Sequence, residues 1–439
     1  MEKKDIIKNA RERLNVEQLT SMQSKMTDLP RSVRSVTLIA PTGSGKTLAF
    51  ALPLLQRVNP EADRGVQAVV LAPARELALQ ITKVLSTLAP GVRINALYGG
   101  HSMLEEKRSL EAKTPEIIVA TPGRLLDHLQ RRNVDLRSVK TLVLDEYDKS
   151  LELGFSDDMR RLVSAMRNVK QLILTSATRL KEMPEFINLK DNLELDFSSE
   201  AVKPDLELFN VRSGEADKLP TLKALLLRLP HERTMVFVNH RESAERVFQY
   251  VKKGGFPCIL YHGALDQQQR ETAVDLFTNG TTPIMIATDL AARGLDIPAV
   301  GSVIHYHLPV GAEVGTHRNG RAARMGATGN VYYIIGPNEE PIAEATMWEP
   351  TAPAVSWTPE LATLFFHAGK KEKLSKGDIV GALTKICGLS GDSIGQIALH
   401  DHRALVAVPR DIADKIVEIM AKNRIKGHKI RVTQVYNTF

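Results

Sequence analysis

The 439 residues, 43% hydrophobic and 25% charged, have room for two to four globular domains and do not fit a disordered or fibrous chain. No apolar run approaches the roughly 20 residues of a membrane span, the polar start carries no signal-peptide core, and two distant cysteines, Cys258 and Cys387, make neither a disulfide framework nor a zinc site alone. The net charge of +7 favours polyanionic partners, and most of the excess lies in Trp357–Phe439, with 13 Lys and Arg against 8 Asp and Glu. A cytoplasmic protein without a membrane partner is expected.

In chain order, short β-branched runs fall at Val36–Ala40, Ala68–Ala72, Ile117–Ala120, Thr141–Leu144 and Gln171–Thr175, each bounded by Gly, Pro or charge. Apolar strands alternating with helical patterns predict a parallel sheet covered on both faces, an α/β domain over residues 1–200. The rhythm restarts at Thr234–Val238, Cys258–Tyr261, Ile284–Ala287, Ser302–Tyr306 and Gly329–Ile335, which predicts a second α/β domain over 216–340. The polar, acidic stretch near 198–215 reads as the connection. Residues 337–359 hold five prolines and read as a second connection. Beyond it the pattern is strand (Leu361–His367), helix (Asp378–Cys387), strands (Ile394–His400 and Ala404–Val408), helix (Asp411–Asn423) and strand (Lys429–Thr433). This βαββαβ order predicts a small α+β domain over 357–439, an arrangement shared with RNA-recognition folds.

Ala40-Pro41-Thr42-Gly43-Ser44-Gly45-Lys46-Thr47 follows a predicted strand and opens a predicted helix, Leu48–Val58. That is the setting of a phosphate loop. Its glycines let backbone N–H groups approach phosphates, Lys46 reaches the terminal phosphates, and the Thr47 hydroxyl suits Mg²⁺. The apolar strand Thr141–Leu144 runs into Asp145-Glu146-Tyr147-Asp148, placing carboxylates at the strand end where α/β sheets bind ligands. Asp145 suits Mg²⁺ through water, and Glu146 is placed to orient and deprotonate the attacking water.

These motifs do not stand alone. Pro73–Ala78 (PARELA), Thr121–Arg124 (TPGR) and Ser176–Thr178 (SAT) accompany them, followed by Phe237–Asn239, His262-Gly263, Gln269-Arg270, Ala287–Pro298 (ATDLAARGLDIP) and His317–Arg324 (HRNGRAAR). In order and spacing the series resembles the DEAD-box RNA helicases over residues 6–336. The resemblance implies two tandem RecA-like domains that hydrolyse ATP to ADP and phosphate with Mg²⁺, stimulated by RNA. It makes Gln23 the adenine reader and Thr42, Gly43, Ser44, Gly45, Lys46 and Thr47 the phosphate cradle. It places Asp296 on the nucleotide from the second domain and makes Arg321 and Arg324 arginine fingers. His317 would couple to Asp148, Ser176 and Thr178. Pro73, Arg75, Gly100, Thr121 and Arg124, with Gly263 and Thr288, would contact the RNA backbone, which positions a strand without reading its sequence. Three positions depart from the family pattern: Tyr147 replaces Ala, Ile6 replaces an aromatic residue, and Gly315-Thr316 enters the HRNGRAAR motif.

Residues 368–383, with Ile394-Gly395 and Ile425–Lys429, resemble the RNA-binding domain of DbpA-type DEAD-box helicases. Lys370, Lys371, Lys373 and Lys376 read as a flexible basic loop suited to phosphates. The third strand of this module has no aromatic, so charged loops are expected to bind RNA more than stacking on the sheet. The resemblance implies large-subunit ribosomal RNA or pre-ribosomal particles as target, ribosome assembly as role, and a monomer. The reading is an ATP-dependent RNA helicase that locally remodels duplexes. An ATP-gated RNA clamp or annealing protein with little unwinding is the alternative, left open by Tyr147.

Overall fold

Each β-branched run becomes a strand, because only a sheet with both faces covered buries such side chains without breaking their alternation. The computed structural model describes residues 2–41, 43–60, 65–100, 102–152, 154–179, 183–187, 189, 191–200, 205–289, 297, 300–322, 328–350, 353–355 and 357–435. Two units are present, the first over the described residues up to 200 and the second over those from 205 onward.

The first unit holds β1 (Ser35–Ile39), β2 (Ala68–Leu71), β3 (Ile94–Leu97), β4 (Ile117–Ala120), β5 (Thr141–Leu144), β6 (Gln171–Ser176) and β7 (Asn192–Asp196). They form one parallel sheet in the order β3-β4-β2-β5-β6-β1-β7. Core clusters cover both faces, one built on Phe50, Leu52 and Ile81, the other on Leu125, Met159 and Leu162. Two departures from the family pattern find their place here. Ile6 is fully buried on the helix Lys3–Leu14, and Tyr147 is 2% exposed in the second cluster. The edge strands β3 and β7 escaped the sequence reading because their sequences, INAL and NLELD, carry polar residues and are half-buried or exposed.

In the second unit β8 (Leu206–Arg212), β9 (Thr234–Phe237), β10 (Cys258–Tyr261), β11 (Ile284–Ala287), β12 (Ser302–His305), β13 (Gly329–Ile335) and β14 (Thr346–Met347) form a second parallel sheet, ordered β10-β11-β9-β12-β13-β8-β14. The stretch read as a connection near 198–215 therefore contains a strand: β8 pairs with β13 over seven residues, from Leu206↔Gly329 to Arg212↔Ile335. Its polar alternation hid it. The proline-rich 337–359 stretch is tied to this unit. The Asn210 side chain holds the backbone of Ile342 and Ala345. Trp357, read as the first residue of the C-terminal module, is buried in the second-domain core and donates its Nε1–H to Leu226 O at 2.7 Å.

The C-terminal module has β15 (Leu361–Phe366), β16 (Ile397–Leu399), β17 (Ala404–Pro409) and β18 (Val432–Gln434) in an antiparallel sheet ordered β16-β17-β15-β18. Helices Lys376–Lys385 and Ala413–Lys422 cover one face, over Ala362, Leu364 and Phe366. On β15 the alternation turns Thr363 to the other face. There its hydroxyl meets Asn279 Nδ2 at 2.9 Å and Thr281 Oγ1 at 2.7 Å. His400 Nε2 lies 2.6 Å from Asp275 Oδ2, and Arg403 donates to Glu271 at 2.9 Å. The module is thus seated on the helix Gln267–Thr278 and the loop after it. Among the described residues no helix is long and apolar enough to cross a membrane.

Candidate functional site

The phosphate loop leaves β1 and enters the helix Lys46–Arg57 through Gly45. Gly45 has φ +89°, and a Cβ there would lie 2.5 Å from Gln23 Nε2. Only glycine fits. Gln23 is buried on the helix Ser21–Thr27, where it closes a capping box with Thr20. Its Oε1 accepts from Thr20 N–H at 3.0 Å and its Nε2 donates to Gly45 O at 3.4 Å, so the amide has a fixed orientation beside the loop. Lys46 is buried and donates to Ala40 O at 2.5 Å and Pro41 O at 3.1 Å. Burial pushes its pKa down, while the nearby Glu146 and Asp145 carboxylates push it up.

Strand β6 lies between β1 and β5 and ties the two motifs together. Ala40 N–H donates to Ser176 O at 3.0 Å. The Thr175 hydroxyl donates to Asp145 Oδ1 and accepts from Glu146 N–H, the latter at 3.2 Å. Glu146 sits at φ +46°, and its carboxylate meets buried Lys149 Nζ at 3.1 Å. Thr178 Oγ1 reaches Asp148 Oδ2 at 3.4 Å, and Ser176 Oγ accepts from Thr178 N–H at 3.1 Å. Lys46, Asp145, Glu146, Asp148, Ser176 and Thr178 thus gather at one end of the sheet.

Burial, then the neighbouring Glu146 charge, raises the Asp145 pKa to about 6, against the pull of Thr175, Lys46 and Lys149. A carboxyl whose folded pKa is raised stabilises the fold fully below its unfolded value of about 4, and the contribution is lost as pH rises through 6. Asp145→Asn is therefore expected to stabilise the ligand-free protein at pH 7.5, with a gain that shrinks on acidification through pH 6. Urea unfolding followed by circular dichroism at pH 7.5 and 5 checks this. A gain that grows on acidification contradicts it.

The ends of adjacent strands β3, β4 and β2 bring together Gly100, Thr121, Arg124, Pro73 and Arg75. Thr121 N–H donates to Leu97 O at 3.0 Å. Gly100, at φ +86°, lies under the Arg75 guanidinium, and a Cβ would sit 2.1 Å from Nη1. Arg124 Nε donates to Tyr98 O at 3.1 Å. In the second unit Gly263 and Thr288 follow the paired strands β10 and β11, and Thr288 N–H donates to Tyr261 O at 3.3 Å. His317 and Arg321 are buried there, on and just after the helix Ala312–Asn319. Thr42, Asp296 and Arg324 lie outside the described residues.

The backbone of the basic loop is bonded to the turn after β16. Lys370 and Lys371 donate their N–H groups to His400 O and Asp401 O at 2.9 and 2.8 Å. Ser375 and Asp378 form a capping box for the helix Lys376–Lys385. Lys370, Lys371, Lys373 and Lys376 are all exposed.

Sequence reasoning missed one organising residue, Arg318. It is fully buried and donates to Asp289 Oδ1 at 2.6 Å, Asn239 Oδ1 at 2.7 Å and His307 O at 2.9 Å. It therefore joins the FVN, ATD and HRNGRAAR motifs. Only its place inside a motif signalled it, since its partners come from strand ends far apart in sequence.

Comparison with known proteins agrees with this geometry. Residues 20–186 match the DEAD/DEAH box helicase family, 217–326 the helicase conserved C-terminal domain, and 363–434 the DbpA RNA binding domain. The chain is 37% identical over 420 residues to ATP-dependent RNA helicase DbpA of Escherichia coli, spanning 91% of this chain and 90% of that one. It is 27% identical over 469 residues to ATP-dependent RNA helicase DbpA of Bacillus subtilis, spanning 98% and 97%. The solved structure of S. cerevisiae Dbp5 bound to RNA and ADP BeF3 aligns with a TM-score of 0.66 at 28% identity, covering 76% of this chain and 88% of that one. With an ATP-type phosphate loop, an acidic strand end and an RNA-binding module in one chain, this protein belongs to the DEAD-box ATP-dependent RNA helicases and carries a DbpA-type RNA-binding domain.

Proposed function

We propose that the enzyme uses ATP to open short duplexes in large-subunit ribosomal RNA during ribosome assembly, acting as a cytoplasmic monomer. The observation that carries the catalytic part is the gathering of buried Lys46, Asp145 and Glu146 at one end of the first sheet, with the Gln23 amide fixed on Gly45. In this reading Gln23 reads adenine. Thr42, Gly43, Ser44, Gly45 and Lys46 hold the phosphates, and Glu146 orients and deprotonates water. The roles of Asp296, Arg321 and Arg324 toward the nucleotide, and of His317 in coupling to Asp148, Ser176 and Thr178, rest on their places in the motifs.

The donor set fits Mg²⁺. Among the described residues no cluster of three or more His, Cys, Asp or Glu side chains could hold a metal. A hydroxyl at Thr47 and a carboxylate at Asp145 are what a Mg²⁺ completed by phosphates and water requires. When bound, it would supply charge neutralisation at the phosphates.

The division of labour follows the sheets: residues 1–200 carry the phosphate loop and half of the RNA track, and 216–340, extended by β8, carry the arginines. Residues 357–439 hold the target RNA, with Lys370, Lys371, Lys373 and Lys376 contacting its phosphates. Pro73, Arg75, Gly100, Thr121, Arg124, Gly263 and Thr288 hold its backbone.

Steady-state ATP hydrolysis without RNA, with poly(A), and with a ribosomal RNA fragment carrying the peptidyl-transferase hairpins tests the target. Strong stimulation by the ribosomal fragment alone is expected. Equal stimulation by both RNAs removes the ribosomal assignment.

A further inference from the structure

Behind the RNA track lies a buried polar cluster that neither the motifs nor the catalytic site uses. Glu106 is on the helix Met103–Ala112 and is 6% exposed. Its neighbour Glu105 is exposed and completes the Ser102 cap through its N–H. Glu106 is therefore not the capping residue, and its carboxylate is turned inward. Oε1 accepts from Tyr98 N–H at 3.3 Å. Oε2 lies 2.8 Å from His128 Nε2 and 3.5 Å from Arg124 Nε.

His128 is fully buried, and its Nδ1 lies 3.1 Å from Asn133 Nδ2. An amide NH₂ can only donate, so Nδ1 accepts and the Nε2–H points at Glu106. The imidazole needs no charge to make both bonds. One buried carboxylate thus grips the backbone before Gly99-Gly100 and the side chain of Arg124. If packing alone were at stake, an apolar residue would fill the position without the cost of burying a charge.

We propose that Glu106 is a positioning residue for RNA binding: it fixes the Arg124 guanidinium and the Tyr98–Gly100 turn in the arrangement that receives the RNA backbone. His128 and Asn133 hold Glu106 from behind. The inference rests on the reading of Arg124 and Gly100 as RNA contacts. Its consequence is that the first domain's half of the RNA track is preformed rather than assembled by the ligand, which lowers the ordering cost of binding.

The test is RNA-dependent ATP hydrolysis by the full chain carrying Glu106→Gln, Arg124→Ala, or both. Glu106→Gln is expected to raise the RNA concentration for half-maximal stimulation about tenfold, the scale of a lost charge-assisted hydrogen bond. The loss falls on RNA half-saturation and not on kcat or on KM for ATP. Glutamine can still accept from Tyr98 N–H, so what Glu106→Gln removes acts through Arg124, and the double variant is expected to be no weaker than Arg124→Ala alone. Additive losses, or a fall in kcat with unchanged RNA dependence, overturn the proposal. Unchanged RNA dependence in Arg124→Ala itself removes the RNA-track reading and this inference with it. Should Glu106→Gln not fold, Asn133→Ala loosens the same carboxylate and is expected to shift half-saturation about two- to threefold in the same direction; no shift overturns the proposal.

Discussion

Glu146→Gln is expected to lower kcat for RNA-stimulated ATP hydrolysis by about 10²–10⁴-fold, the usual contribution of a positioned general base. KM for ATP is expected to change little, because in the proposed reading the phosphates are held by the loop 42–47 and not by β5. The geometry explains the size. Glu146 is 5% exposed and lies one residue beyond a four-residue buried strand, after Asp145. Its backbone occupies the left-handed region, which costs a non-glycine residue of order 1–3 kcal/mol. The Thr175 hydroxyl and the Lys149 ammonium hold that conformation. Glutamine keeps the shape and the backbone bond but cannot take a proton from water. Steady-state turnover with nucleotide-binding titrations checks both parts. Turnover within tenfold of the parent would move the role of base to another group.

Arg318→Met is expected to destabilise the second unit by about 1–3 kcal/mol, the cost of leaving hydrogen-bonding groups without their donor; the Asp289 carboxylate, 36% exposed, is partly compensated by water. Methionine fills most of the volume but leaves Asp289, Asn239 and the His307 carbonyl without their donor. The Phe237 ring also loses the guanidinium over its face, 5.4 Å from its centroid. Both tryptophans, Trp348 and Trp357, lie in this unit, so their fluorescence reports its unfolding in denaturant. A midpoint unchanged from the parent contradicts the assignment.

The same cluster sets an acid limit. Burial pushes His305 down to about 3, with Arg318 adding to the effect and Asn319 opposing it. The folded value lies below the unfolded one, so His305 contributes stability above about pH 6.5 that is lost as pH falls toward 3. The Arg318 variant keeps this slope, because burial, the larger cause, remains.

Much of this was legible in the sequence, for identifiable reasons. The central strand Ile117–Ala120 matched residue for residue, because a strand buried on both faces must be apolar along its whole length; Gly329–Ile335 matched as well, on its apolar run from Val331 to Ile335. Edge strands follow no such rule. The edge strands β3 and β7 carry Asn and Glu among their apolar residues and read as loop, and so does β8, covered on its outer side only by the two-residue β14. The phosphate loop and Asp145-Glu146 were legible because local geometry dictates local residues. Arg318 and Glu106 were not, because their partners arrive from other strand ends only once the sheet has formed. Tyr147, read as a departure within the motif, has its side chain in the core cluster. The lysine loop looked flexible because its composition is polar, whereas its backbone is bonded to the turn after β16.

The most direct measurement is strand release from a short RNA duplex, comparing the parent with Glu146→Gln in ATP and without nucleotide. ATP-dependent release by the parent, with multiple-turnover release lost in the variant, is the expected result. Release that is equal without nucleotide, or rapid ATP turnover by the parent with no release, would contradict an ATP-driven helicase built on this site.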